Sequence, residues 1–107
     1  MPRVAYINKI KAECIEEFGR AHRDLDAGMR VALHEAGWLN YTAFLSGDGW
    51  FVVYLEPPVD LRTAQEALAA DPAFVRWFER YGHCFEAPDS SRPQQMLIQM
   101  EEILHIN

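Results

Sequence analysis

"WLNYTAFLSGDGWFVVYLE" (38–56) decides the fold. Two runs of strand formers, "WLNYTAFLS" (38–46) and "WFVVYLE" (50–56), flank a Gly-Asp-Gly tip, which is the local signature of a β-hairpin. In the second run both alternating sets are apolar: Phe51, Val53 and Leu55 on one side, Trp50, Val52 and Tyr54 on the other. A sheet with one wet face alternates more cleanly. Both faces of the sheet that contains this hairpin are therefore expected to be covered.

Upstream, "RVAYINKI" (3–10) reads as a strand. From about Ala12 to Ala36 the period becomes helical. Ile15, Phe18, His22, Leu25, Met29 and Leu33 recur at steps of three and four, with Glu16, Arg20, Arg23 and Arg30 opposite. Gly37 is the expected C-cap. Downstream, Pro57 and Pro58 end the strand, and Asp60 caps a short helix, "LRTAQEALAA". "DPAFVRWFERYG" restarts it, with Asp71 as cap, Pro72 at the first helical position and Gly82 as terminator. Residues 86–95 read as a loop, and "MLIQMEEILHI" (96–106) fits helix or strand by period alone. Reading it as a strand gives βαββαβ, an α+β, ferredoxin-like arrangement in which two helices cover one face of a four-stranded antiparallel sheet. The other face is then left for a second subunit, because 107 residues hold nothing else to cover it.

Composition narrows the function classes. The chain reads as one domain, residues 1–107, with half its residues hydrophobic and a formal net charge of −6. It has no basic stripe, which argues against nucleic acid, and no apolar run of the roughly 20 residues a membrane span needs. No secretory h-region is visible, and the two cysteines, Cys14 and Cys84, lack metal-ligand spacing. These features point to a cytoplasmic protein with reduced thiols and without a metal.

One residue of the helical stripe is anomalous. His22 occupies a core-facing position, where it is either a packed imidazole or a general acid/base. Asp26, four residues on and one turn away, is placed to orient its ring, although a solvated helix-edge carboxylate is the plainer reading. Tyr41, in "NYTAFL", shares parity with Ala43 and Leu45 and approaches His22 if that face looks toward the helices. Phe74, Trp77, Phe78 and Tyr81 step along the last helix as core, or as a platform for the apolar face of a sugar. His34, His83 and His105 form no HxxxH, HExxH or CxxC pattern, and no phosphate loop, dinucleotide fingerprint or GxSxG occurs.

In this order and spacing the segments resemble the L-rhamnose mutarotase family along nearly the whole chain. "EEFGRAH" matches a pattern E-(Y/F)-x-x-x-H, and "NYTAFL" matches N-Y-(S/A)-I-(F/Y)-L. "WFVVYLE" matches an apolar strand ending in Glu, "RWFERY" an aromatic pair, and "MEEILHI" a closing strand. The resemblance implies a dimeric α/β barrel of ferredoxin-like subunits, a terminal strand, and interconversion of the α and β anomers of a deoxy-sugar without metal or cofactor. It assigns the catalytic proton donor to His22 and the sugar contacts to Phe18, Tyr41, Trp77 and Phe78. The chain departs from the family at Phe18, where a Tyr is usual, at Phe78, where a second Trp is usual, and at Asp26, Ala27 and Gly28, in place of Trp-Pro-Glu. These departures imply a shifted sugar preference. A cofactor-free monooxygenase or a haem-degrading enzyme on the same dimeric barrel, and a non-catalytic sugar-binding dimer, are the alternatives that the residues leave open.

Overall fold

The computed structural model describes residues 2–86 and 98–107. The hairpin forms as β2 (Thr42–Leu45) and β3 (Trp50–Leu55), in register from Thr42 opposite Tyr54 to Leu45 opposite Phe51. Its tip closes where the Ser46 N–H donates to the Trp50 carbonyl at 2.9 Å and the Trp50 N–H donates to Ser46 Oγ at 2.9 Å. Gly49 has φ +94°, and its carbonyl accepts the Ile10 N–H at 2.8 Å. A Cβ at Gly49 would lie 2.5 Å from the Ile10 carbonyl oxygen, so only glycine permits the approach. The first strand is shorter than its sequence run. Trp38 turns into the core and donates its indole N–H to the Ala64 carbonyl at 2.9 Å, and Asn40 adopts φ +51°. Neither is compatible with extended pairing, so the strand begins only at Thr42.

β1 (Val4–Lys9) pairs antiparallel with β3 on one side and with β4 (Ile98–Met100) on the other. The order β2-β3-β1-β4 is that of the ferredoxin-like fold. β4 covers only part of the run expected to be a strand. Residues 101–107 are not in a strand, and Ile103, Leu104 and Ile106 are exposed. Residues 96–97, and all of the expected 86–95 loop beyond Glu86, lie outside the described residues.

The helix expected over 12–36 is broken. It forms a 3₁₀ turn (Ala12–Cys14), α1 (Ile15–Arg23) and α2 (Ala27–Glu35). The cause is Asp26. Its backbone is extended (φ −70°, ψ 158°), and its carboxylate accepts the Met29 N–H at 2.8 Å. Aspartate satisfies orphan amides at a helix start better than it supports a helix interior. The i+4 geometry that would let Asp26 orient His22 therefore does not exist. The apolar stripe survives the break, because Phe18, Met29 and Leu33 are all buried in one cluster. α2 ends at Gly37 (φ +87°), with Gly37 N–H to His34 O at 3.1 Å and Trp38 N–H to Leu33 O at 2.9 Å, a Schellman pair.

α3 (Leu61–Ala69) and α4 (Pro72–Tyr81) start as the sequence predicts. Asp60 accepts from the Thr63 N–H at 2.8 Å, and Asp71 accepts from the Ala73 N–H at 2.9 Å. A second 3₁₀ turn (Gly82–Cys84) then leads to Phe85, which bridges to Ile10. The helix-facing side chains of the sheet, Val4, Tyr6, Phe51, Val53 and Leu55, are buried. The opposite face carries Ile7, Phe44, Trp50, Val52, Ile98 and Met100, and Phe44 is 60% exposed there.

If the Asp26 cap breaks the helix, Asp26→Ala lowers stability by about 1 kcal/mol. Urea denaturation reads this as a lower midpoint at unchanged slope. A variant as stable as the wild type would show that the cap is dispensable.

Candidate active site

A cavity of about 340 Å³ lies between the helix face of the sheet and the helices α1, α2, α3 and α4. His22, in the last turn of α1, lines it together with Tyr41, Trp77 and Phe78. Phe18 does not line it. That ring is fully buried beneath His22, with centroids 4.5 Å apart, and is boxed by Phe51 at 4.9 Å, Phe85 at 5.3 Å and Trp77 at 6.0 Å. Phe18 thus sets the level of the imidazole, which is flanked in turn by Phe51 at 5.1 Å and Trp77 at 5.4 Å.

The imidazole is oriented by backbone. His22 Nδ1 lies 2.9 Å from the Phe18 carbonyl oxygen. A carbonyl oxygen only accepts, so Nδ1 carries the proton of the neutral ring and Nε2 holds the basic lone pair. Asp26, exposed and engaged as a cap, plays no part in this bond. Burial lowers the His22 pKa from its ordinary 6.5, and the bond to Phe18 offsets part of that shift. The ring is neutral at neutral pH, and as a base it is already in its working form.

The remaining wall is aromatic with a few polar tips. Tyr41 precedes β2 and packs edge-on against Trp38 at 5.7 Å. Burial raises its phenol well above its ordinary pKa, so it acts as a neutral hydroxyl. Phe74 stacks on Phe78 at 5.7 Å, and Phe78 on Phe85 at 6.1 Å, which fixes the α4 face of the cavity. The Trp77 Nε1–H is buried and has no hydrogen-bond partner among the described residues. A buried donor left unpaired costs about 1–3 kcal/mol.

Two further cavity residues, Tyr6 and Asn8, were not singled out from the sequence. They project from β1 on the parity of Val4, the buried side, and both line the cavity. An Asn on the core parity of a strand was the signal available for them. Tyr6 is also raised well above its ordinary pKa, first by burial and then by its proximity to Tyr41. No cysteine lines the cavity. The Cys84 thiol is pushed up to about 12 by burial, and further by its bond with Cys14, so it is a neutral thiol and no nucleophile at neutral pH.

An uncharged histidine with a single basic nitrogen, set among aromatic faces, suits proton transfer on an uncharged ligand with both apolar and hydroxyl surfaces. The family model for L-rhamnose mutarotase matches residues 3–106. The chain belongs to the L-rhamnose mutarotase family. It is accordingly a mutarotase, an isomerase acting on carbohydrates. The fold is shared with a solved L-rhamnose mutarotase from Formosa agariphila, at TM-score 0.77, 15% identity and full coverage of both chains. No curated protein matches the chain.

If His22 is the base of this mutarotase, its lowered pKa fixes the sign of the pH dependence. The base form persists below the ordinary value, so kcat/KM for anomer exchange stays level through neutrality and falls only below about 6.5. Exchange spectroscopy over a pH series measures this. An acid limb with its midpoint above about 7 would mean that the imidazole is stabilised as a cation.

Proposed function

We propose that the chain catalyses exchange between the α and β anomers of a deoxy-sugar such as L-rhamnose, with His22 as the acid/base. The observation that carries this is the Nδ1 bond to the Phe18 carbonyl, which leaves Nε2 as the free basic nitrogen of a cavity-lining ring. Nε2 removes the proton from the anomeric hydroxyl. The electrons of that O–H bond form the C1=O1 double bond, the C1–O5 bond breaks, and O5 takes a proton from the imidazolium. The open aldehyde turns about the C1–C2 bond and recloses from its other face by the reverse steps. The histidine ends as it began, and the reaction consumes nothing.

The cavity wall supports a sugar ligand. Trp77 and Phe78 offer flat apolar faces to the C–H side of a pyranose and to the methyl group of a 6-deoxy-sugar. Tyr41, also in the cavity lining, brings a phenol hydroxyl as a polar group beside those faces. Phe18 acts through His22, because its ring is sealed from the cavity. Its missing hydroxyl therefore bears on the sugar through the packing of His22. No metal or cofactor is called for by these steps.

The working unit in this proposal is a homodimer of single-domain chains, located in the cytoplasm, with no nucleic acid or membrane partner. Among the described residues, no helix is long and apolar enough to cross a membrane. Support for the dimer comes from the helix-free sheet face. Phe44, Trp50, Ile98 and Met100 are exposed there by 60, 44, 65 and 38%. Monomers rarely tolerate an apolar patch above a few hundred Å². A second copy stacking the same face covers it symmetrically.

Replacing His22 with Gln removes the base while keeping a similar volume. Catalysed exchange, followed by saturation-transfer NMR on L-rhamnose, L-fucose and D-galactose, is expected to fall by about 10²–10⁴-fold with every sugar that the wild type turns over. Exchange at the wild-type rate would end the assignment. Sedimentation at micromolar concentration is expected to give twice the 12.3 kDa chain mass, and Phe44→Glu is expected to shift the protein toward monomer. A wild-type monomer at that concentration would refute the dimer.

A further inference from the structure

On the side of α1 away from its last turn, three ligand-type side chains converge. Cys14 ends the first 3₁₀ turn, and His83 and Cys84 lie in the second. The Sγ atoms of Cys14 and Cys84 and a ring nitrogen of His83 all lie within 4.8 Å of one another, and Cys84 Sγ is 3.8 Å from His83 Nε2. In the sequence the two cysteines are far apart and show no ligand spacing. The fold joins them through the Ile10–Phe85 bridge and the Lys11 N–H bond to the Cys84 carbonyl at 2.8 Å.

We infer that Cys14, His83 and Cys84 form a binding site for a divalent cation of the zinc class, separate from the sugar cavity. The geometry fits such an ion. Zn–S bonds of about 2.3 Å and Zn–N bonds of about 2.1 Å at tetrahedral angles hold two sulfurs about 3.8 Å apart, and a sulfur and a nitrogen about 3.6 Å apart. Small side-chain rotations bring the three atoms to those separations. The donor set is soft, which selects zinc-like ions over magnesium or calcium. The incoming dication displaces the two thiol protons to solvent, and the resulting thiolates neutralise it, so the buried pair of sulfurs carries no net charge once the ion is bound. The cysteines are buried and the histidine is exposed, which leaves an entry path and a fourth, solvent-side coordination position. None of the three side chains lines the cavity. The ion would fasten the start of α1, and so the platform of Phe18 and His22, to the segment that follows α4. It takes no part in the proton transfers.

The test is titration of reduced, metal-free protein with Co²⁺. One ion per chain is expected to bind, with a near-ultraviolet thiolate-to-cobalt charge-transfer band and visible bands of tetrahedral intensity, and Zn²⁺ is expected to displace it. Cys14→Ser and Cys84→Ser are each expected to abolish the charge-transfer band. His83→Ala alters an exposed side chain and so leaves the fold intact by circular dichroism. It is expected to weaken binding by about tenfold or more, since even outer-shell partners cost that much. If a cysteine variant fails to fold, the His83 variant alone decides. Absence of the band in the wild type, its survival in folded cysteine variants, or unchanged affinity in His83→Ala would overturn the inference.

Discussion

The hydrogen bond from His22 Nδ1 to the Phe18 carbonyl, one turn back in the same helix, constrains everything around the cavity. It requires no partner side chain, so the imidazole is oriented by the helix that carries it. It also settles which nitrogen is basic. For the bond to form, the imidazole must lie back along α1, and there it rests on the Phe18 ring. Phe18 in turn is fixed by Phe51 from β3, Trp77 from α4 and Phe85 after the second 3₁₀ turn. The position of one proton is thus tied to the packing of three separate parts of the chain. Phe51 and Trp77 also flank the imidazole directly, so the rings that position His22 are part of the cavity wall.

The sheet divides the molecule into two kinds of surface. On the helix side, alternate residues of β1 and β3 build a core, and Tyr6, Asn8 and Phe51 from the same parity open onto the cavity. On the other side the alternate set is nearly as apolar but lies uncovered. One sequence run, "WFVVYLE", thus contributes to the site with one parity and to the proposed dimer contact with the other. The two functions are one residue apart in sequence, so a register slip in this hairpin would exchange them. Gly49 guards against that slip, because its backbone is locked to Ile10 at a distance that no side chain allows.

Much of this was legible in the sequence because local chemistry decides it. The hairpin, the caps at Asp60 and Asp71, Pro72 at the helix start and Gly37 at the helix end each follow from a single turn or cap. His22 was legible because a titratable ring interrupts an apolar stripe. What was not legible depended on competition or on distance. The stripe from Ile15 to Leu33 has one uninterrupted period, yet Asp26 prefers to cap and so breaks the helix without disturbing the pattern. Trp38 has strand propensity, but its indole finds the Ala64 carbonyl across the core. Among its described residues, the terminal run, ambiguous by period, pairs with β1 through Ile98–Met100. Phe18 was matched to a sugar contact by position, whereas its burial depends on rings contributed from residues 51, 77 and 85. Cys14 and Cys84 meet only after the fold has closed.

In the proposed reaction His22 starts neutral and protonated at Nδ1, with Nε2 free. Long-range ¹⁵N–¹H correlation NMR of the histidine side chains, across a pH titration, measures this directly. The structure predicts a pyrrole-like Nδ1 and a pyridine-like Nε2 for His22 at neutral pH, with a protonation midpoint below about 6.5. A ring protonated at Nε2 instead, or one that is already cationic at neutral pH, would contradict it.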